Sequence, residues 1–376
     1  MNHYLSSYTS NGNRDNNFNL IRFVAASMVL FSHSFALSIG SGLAEPLRKT
    51  LDMTFGTIAV DIFFITSGFL ITGSMLTKKN LVAFVWARVL RIYPALIIAM
   101  LFCVFVVGFY FTELSSYSYL SNPNILKFLL KNISLFGGVN HYLPGVFEDV
   151  PYKGTVNGSL WTLPWEIRMY TILVLLGSIS FPMKRFGKIL FGYTVVGIAF
   201  VSTMMYIFNN IAVFVDNDGI NNTLELLSMF FMGAAFYILK GKIALSNKII
   251  VLMCLILSFS LVERRIFFIF YNLFIAYIVF YLAYIPSGKI RNFNKFGDYS
   301  YGLYIYAFPV QQSIAALVQN ISVEIMLITS FSITLIIAVL SWHLIEKKFL
   351  QMRDHYIVFE KTFSSIRLTR SLTRIQ

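Results

Sequence analysis

The chain has 376 residues, 57% of them hydrophobic and 12% charged, with a net charge of +13 and a mean hydropathy of +0.70. A soluble domain of this size carries about twice that charge. A water-soluble globular enzyme is therefore excluded, and nucleic-acid binding with it, because no basic soluble domain is left to carry the excess charge. What fits is an all-α integral membrane protein, since apolar runs of bilayer-spanning length recur throughout.

Hydropathy predicts about ten transmembrane helices, at 19–39, 55–76, 89–111, 159–181, 187–208, 224–240, 248–263, 266–285, 300–319 and 324–346. Together they make residues 1–350 one polytopic membrane domain, followed by a basic tail at 351–376. The first apolar run is longer than a signal-peptide core and is expected to be retained as a span. Alternate loops are rich in Lys and Arg: Lys78, Lys79, Arg88 and Arg91; Lys184, Arg185 and Lys188; Lys240, Lys242 and Lys248; Lys289, Arg291 and Lys295. The tail adds more on the same side, and the opposite loops hold Asp216, Asp218 or mixed charge, so both termini are expected in the cytoplasm. The net charge then reads as a topology signal and as contact with anionic membrane lipids. The long non-cytoplasmic loop at 112–158 is rich in Tyr, Asn, Gly and Pro, which suits either contact with a sugar or a plain connector. Cys103 and Cys254 fall inside spans and read as apolar fillers, with no disulfide framework. No metal ligand set is expected.

Ionisable residues inside spans are costly and by default functional. The first span, "NLIRFVAASMVLFSH", carries Arg22 and His33. Their spacing is about 1100° on a helix, within about 20° of three turns, so they share a face about 16 Å apart along the axis. Asp61 in "GTIAVDIFFITSGFLI" and Glu166 in "GSLWTLPWEIRMY" follow, with Arg168 beside the latter. Counting residues from the span ends puts His33, Asp61 and Glu166 in one outer-half layer. Glu166 is the preferred carboxylate to orient the His33 imidazole, with Asp61 second. Arg88 and Arg91, three residues apart in "WARVLRIYP", share a face at the cytoplasmic start of the third span. With Arg22 they make a set of guanidiniums suited to phosphate oxygens. Plainer readings stand beside these: Arg88 and Arg91 as positive-inside anchors, His33 as a packing residue, Glu166 with Arg168 as a structural ion pair.

Six stretches occur in the order characteristic of one family: "LIRFVAASMVLFSH", "VDIFFITSGFLI", "RVLRIYP", "SLWTLPWEIRMY", "GDYSYGLYIYAFPVQQ" and "WHLIEKKF". Over about residues 17–350 the chain resembles the membrane-bound acyltransferase-3 family, and within it the bacterial O-antigen and exopolysaccharide O-acetylases. The resemblance implies an inner-membrane enzyme that takes acetyl from cytoplasmic acetyl-CoA and delivers it to a carbohydrate hydroxyl on the outer side. His33 would be the base or the acetyl carrier. Arg22, Arg88 and Arg91 would bind the donor's phosphates, and Glu166, Trp161 and Tyr170 would wall the active site. The chain departs from many relatives in having Ala307 where they have a histidine and Lys347 where they have a proline. The main rival is a lipid or sugar transporter, since intramembrane charge suits that class too; a non-catalytic sensor is the second.

Overall fold

The computed structural model describes residues 3–9, 15–78, 80–212 and 218–355. Each of the ten expected stretches is helical: α1 Phe18–Ile39, α2 Phe55–Lys78, α3 Leu81–Phe102, α4 Leu163–Ser180, α5 Lys184–Ala212, α6 Asp218–Ile238, α7 Asn247–Ser260, α8 Arg264–Tyr284, α9 Ser300–Leu317 and α10 Val323–Ser341. Among the described residues, six helical stretches are both long and apolar enough to cross a membrane: Phe18–Ile39, Phe55–Thr77, Leu81–Phe111, Gly158–Ala212, Arg264–Tyr284 and Val323–Gln351. The fourth of these is two helices, interrupted at Phe181–Met183 with Lys184 at a φ of 53°. Strand structure among the described residues is confined to one antiparallel pair, His3–Tyr4 against Ala244–Leu245. Most of the expected basic tail, beyond residue 355, lies outside the described residues.

The helices form because the side chains leave few alternatives in lipid, and their ends are set locally. Helix α1 stops where Gly40 turns left-handed at a φ of 81° and its N–H caps the Ala36 carbonyl. A Cβ there would meet the Pro151 carbonyl oxygen at 2.9 Å, so the glycine also admits a neighbouring chain. Helix α2 begins on a carboxylate: the Phe55 N–H donates to Glu45 Oε1 at 2.6 Å, and the Ser32 hydroxyl to Oε2 at 2.8 Å. Glu45, which reads as an ordinary loop charge, is 3% exposed.

Helix α2 is the hub, packing on α1, α3, α4, α6 and α8, and most extensively on α6. Backbone meets backbone there. A Cβ on Gly68 would lie 1.9 Å from the Phe230 carbonyl oxygen, and one on Gly233 2.0 Å from that of Ile65. No side chain other than hydrogen fits at either position, so the two glycines fix the register of α2 on α6.

The long outer loop does more than connect. After a short amphipathic helix at Pro123–Ser134, the chain enters the bundle. Val156, Asn157, Ser159 and Leu160 are all fully or almost fully buried. Pro309 explains how this polar stretch is held. Proline has no N–H, so inside α9 it leaves the carbonyl four residues back, that of Ile305, without its helical partner. The Asn157 side-chain amide donates to that carbonyl at 2.9 Å. Gln312 adds two bonds of 2.7 Å to the carbonyls of Tyr152 and Thr155, and the Tyr304 hydroxyl donates to the Ser159 carbonyl at 2.7 Å. The segment 152–162 is thus a re-entrant wall that delivers Trp161 and the start of α4 to the middle of the bundle.

Candidate active site

At one end of the bundle, Arg22 of α1 and Arg88 and Arg91 of α3 converge. Helix α3 starts at Leu81, eight residues before the span expected from hydropathy, so both of its arginines lie well inside the helix rather than at its start. The Arg91 side chain is 19% exposed. These residues are not surface anchors. Asp298 joins two of them, 2.9 Å from Arg22 and 2.7 Å from Arg91, and Glu346 sits 3.2 Å from Arg91. Burial raises the Asp298 carboxyl, but Arg22, Arg91 and the Ser300 hydroxyl outweigh it and hold it at about 2. The three cations therefore differ. Arg91 is neutralised twice over and Arg22 shares one carboxylate. Among the described residues Arg88 makes no ion pair, and the Nε atoms of Arg22 and Arg88 are buried donors without a partner. Unfilled guanidinium donors in a polar cavity fit an anionic group.

Four cavities, each sharing wall residues with the next, run from this cluster to His33. The first, about 540 Å³, holds Arg22, Arg88, Arg91, Asn19, Asp298 and Arg353. The second, about 110 Å³, shares the three arginines and adds Ser67, Glu166, Tyr170, Thr162 and Tyr304. The third, about 190 Å³, shares Val60 and Tyr304 with the second and adds His33, Trp161, Asn222 and Glu225. The fourth, about 370 Å³, shares His33, Ser32 and Thr54 and continues past Glu45 and Arg48. The α1 face that carries Arg22 and His33 lines the whole series, as their spacing predicts.

His33 sits edge-on to Phe308, with ring centroids 5.1 Å apart. Its Nδ1 is buried and has no hydrogen-bond partner among the described residues. That overturns the expectation that Glu166 orients it. Glu166 lies in the second cavity with the arginines, where it accepts from the Tyr170 hydroxyl and, at 3.5 Å, from Ser67. The cause is the re-entrant wall: α4 starts deep inside the bundle, so counting from a surface start misplaces Glu166 along the axis. Tyr170 stands beside it, and Trp161 instead faces the His33 cavity. Asp61 is not beside the imidazole either. It is 1% exposed and its Oδ2 accepts from the Tyr271 hydroxyl at 2.7 Å. The single outer layer of His33, Asp61 and Glu166 is replaced by two levels along α2. Arg168 does not pair with Glu166; it is exposed and lies 4.2 Å over the Trp165 ring.

Glu225 shares the third cavity with His33, and Glu45 the fourth. Hydropathy starts the sixth span at 224, which makes Glu225 an edge residue, but α6 begins at Asp218 and carries it two turns inward. Asp298 and Glu346 escaped for a similar reason: each sits at the border of an apolar run, where a charge reads as part of a loop. Their signal lay in the stretches "GDYSYG" and "WHLIEKKF".

The structure is a multi-pass helical bundle with buried cations at one end of a cavity series and a histidine near the other. The chain belongs to the acyltransferase family whose model, described as an acyltransferase domain, matches residues 15–346, and it is a membrane acyltransferase. It is 29% identical over 351 residues to an O-acetyl transferase of Shigella phage Sf6, covering 90% of this chain and 96% of that one. It is 32% identical over 199 residues to Nodulation protein 10 of Rhizobium leguminosarum bv. viciae, covering 51% and 52%. No solved structure matches the chain.

Proposed function

We propose that this enzyme moves an acetyl group from cytoplasmic acetyl-CoA to a sugar hydroxyl of lipopolysaccharide O-antigen at the periplasmic side of a bacterial inner membrane. In this reading all ten helices cross the bilayer and both termini are cytoplasmic. The observation that carries it is the cavity series with Arg22 and Arg88 at one end and His33 near the other. The donor is a thioester with a multiply charged head and a long uncharged arm. The arginines would hold the head at the wet face while the arm lies along α1 and brings the thioester toward His33. The phage relative's name, O-acetyl transferase, supports transfer to oxygen.

Neutral His33 takes the proton of the acceptor hydroxyl as the oxygen attacks the thioester carbonyl. The new C–O bond forms and the C–S bond breaks. The departing thiolate takes the proton back from the imidazolium, so atoms and charge balance without any other reactant. Val60 and Tyr304 line both the second cavity and the third, which holds His33. The test is NMR of purified O-antigen from matched strains with and without the gene. An acetyl signal that appears with the gene and is lost in mild alkali is expected. Acetyl on another glycan alone would reject the acceptor, and an alkali-resistant signal would reject the ester.

A further inference from the structure

We propose that Arg168 is the seat of a phospholipid, its guanidinium holding the phosphate of a bilayer lipid against the outward face of α4. That helix belongs to a stretch, Gly158–Ala212, long and apolar enough to cross a membrane. Along it Arg168, Thr171, Leu175 and Ile179 are exposed, while Tyr170 and Leu173 are buried. Spacings of three and four residues put the exposed set on one stripe. Leu175 and Ile179 are side chains suited to lipid, and Arg168 shares their face. Among the described residues Arg168 makes no ion pair. The nearest carboxylate in sequence, Glu166, turns into the second cavity and accepts from Tyr170 instead.

Depth makes this cation costly. Helix α4 ends at Ser180, and Lys184, Arg185 and Lys188 follow at once, the mark of one membrane face. Arg168 lies twelve residues before Ser180, which is about 18 Å along the axis. In a hydrocarbon core of about 30 Å, about 12 Å then separate it from the opposite interface. Snorkelling covers part of that gap, and a lipid drawn inward covers the rest. The stack on Trp165 turns the arginine into a site. The ring, 4.2 Å from the guanidinium carbon, covers one face of the group and fixes its plane. The N–H donors lie in that plane, so the stack leaves their edges open. A planar fork held in this way matches two oxygens of one phosphate. The lipid is favoured over a phosphate from solution because the site opens on an apolar stripe, along which the lipid's own chains can lie. This seat is separate from the cavity series and does not depend on the role of His33.

Native mass spectrometry of the full chain in a neutral detergent counts its bound lipids. With phosphatidylglycerol added, the parent is expected to retain one lipid that Arg168→Gln loses. Titration should show binding weaker by at least about tenfold in that variant, the size of one charge-assisted hydrogen bond. Arg168→Lys keeps the charge without the fork and should fall between the two. Diacylglycerol, which has the chains and no phosphate, is expected not to bind, and inorganic phosphate is expected not to displace the lipid. Without lipid, Arg168→Gln should unfold at the parent's temperature, which separates a lost site from a lost fold; if it does not, Arg168→Lys carries the comparison. Equal retention by parent and variants overturns the proposal. Equal binding of diacylglycerol would assign the stripe to chains alone, and displacement by inorganic phosphate would make the ligand a soluble anion; either rejects a phospholipid seat. A dimer that Arg168→Gln splits would give this face to a second copy of the chain and reject it as well.

Discussion

The two ends of α1 are built on opposite plans. Around Arg22, carboxylates are spent on the cations: Asp298 bridges Arg22 and Arg91, and Glu346 closes on Arg91 from the other side. Around His33, Nδ1 has no partner, and the polar side chains in its cavities leave the ring free. Under the proposed function, the difference follows from what each end must do. Cations that stay cations through a reaction cycle can be locked by carboxylates that cost little once paired and hydrogen-bonded. A base that changes charge in every turnover cannot be locked without losing the pKa and freedom its role requires.

Removing the free end is the hardest blow. His33→Ala is expected to lower transfer by at least about 100-fold, the usual contribution of a positioned base, with normal insertion in the membrane; acetyl on extracted polysaccharide is the measurement, and full acetylation would refute the assignment. At the locked end the loss should appear as stability. Asp298→Asn leaves two buried guanidiniums facing each other and is expected to cost about 3 kcal/mol, as when one partner of a buried pair is deleted, read as a lower unfolding temperature in detergent.

The same carboxylate predicts a pH signature. Its folded value of about 2 lies below the ordinary aspartate value. Its stabilisation is therefore complete above about pH 4 and is lost as pH falls through about 2, the direction for a depressed carboxyl. The Asp298→Asn variant should show a flatter stability profile across that window, and an equal slope in both proteins would count against the bridge.

Arg88 and Arg91 sharpen the contrast further. Arg88→Lys, at the unpaired cation, is expected to weaken acetyl-CoA binding about tenfold through loss of the planar fork, with stability unchanged. Arg91→Lys should do the reverse. Isothermal binding and thermal unfolding on both variants separate the cases, and identical behaviour would show that the two arginines are equivalent. The smallest effect is expected at the wall. Pro309→Ala restores an N–H that competes with Asn157 for the Ile305 carbonyl, and about 1 kcal/mol of stability should go with that single bond. Hydrogen exchange at residues 152–162 reads it directly.

Much of this was legible in the sequence. The ten apolar stretches are helices, and the Arg22–His33 spacing does line one continuous face. Depth was not legible. Hydropathy marks where apolar residues begin, which differs from where a helix begins when its first turns are polar. That offset hid Glu225 two turns inside α6 and put Arg88 and Arg91 too near the surface. Glu166 failed for a different reason. Its helix starts from a re-entrant segment held by Asn157, Gln312 and a carbonyl freed by Pro309, contacts between residues about 150 apart in the chain that no local pattern announces. Asp61 was correctly singled out as costly, but its partner Tyr271 lies on a helix whose place in space a single sequence does not encode.

The separation of Asp61 from that partner has a consequence in time. The Tyr271 hydroxyl that completes its site lies 210 residues further along the chain. At roughly 5–20 residues per second of synthesis, α2 reaches the membrane on the order of ten to forty seconds before α8 exists. For that interval an aspartate in the first third of its helix waits for the Tyr271 hydroxyl, at a cost of up to about 3 kcal/mol in lipid. The nascent helix is thus a natural client for whatever shelters polar segments at the site of insertion until α8 arrives.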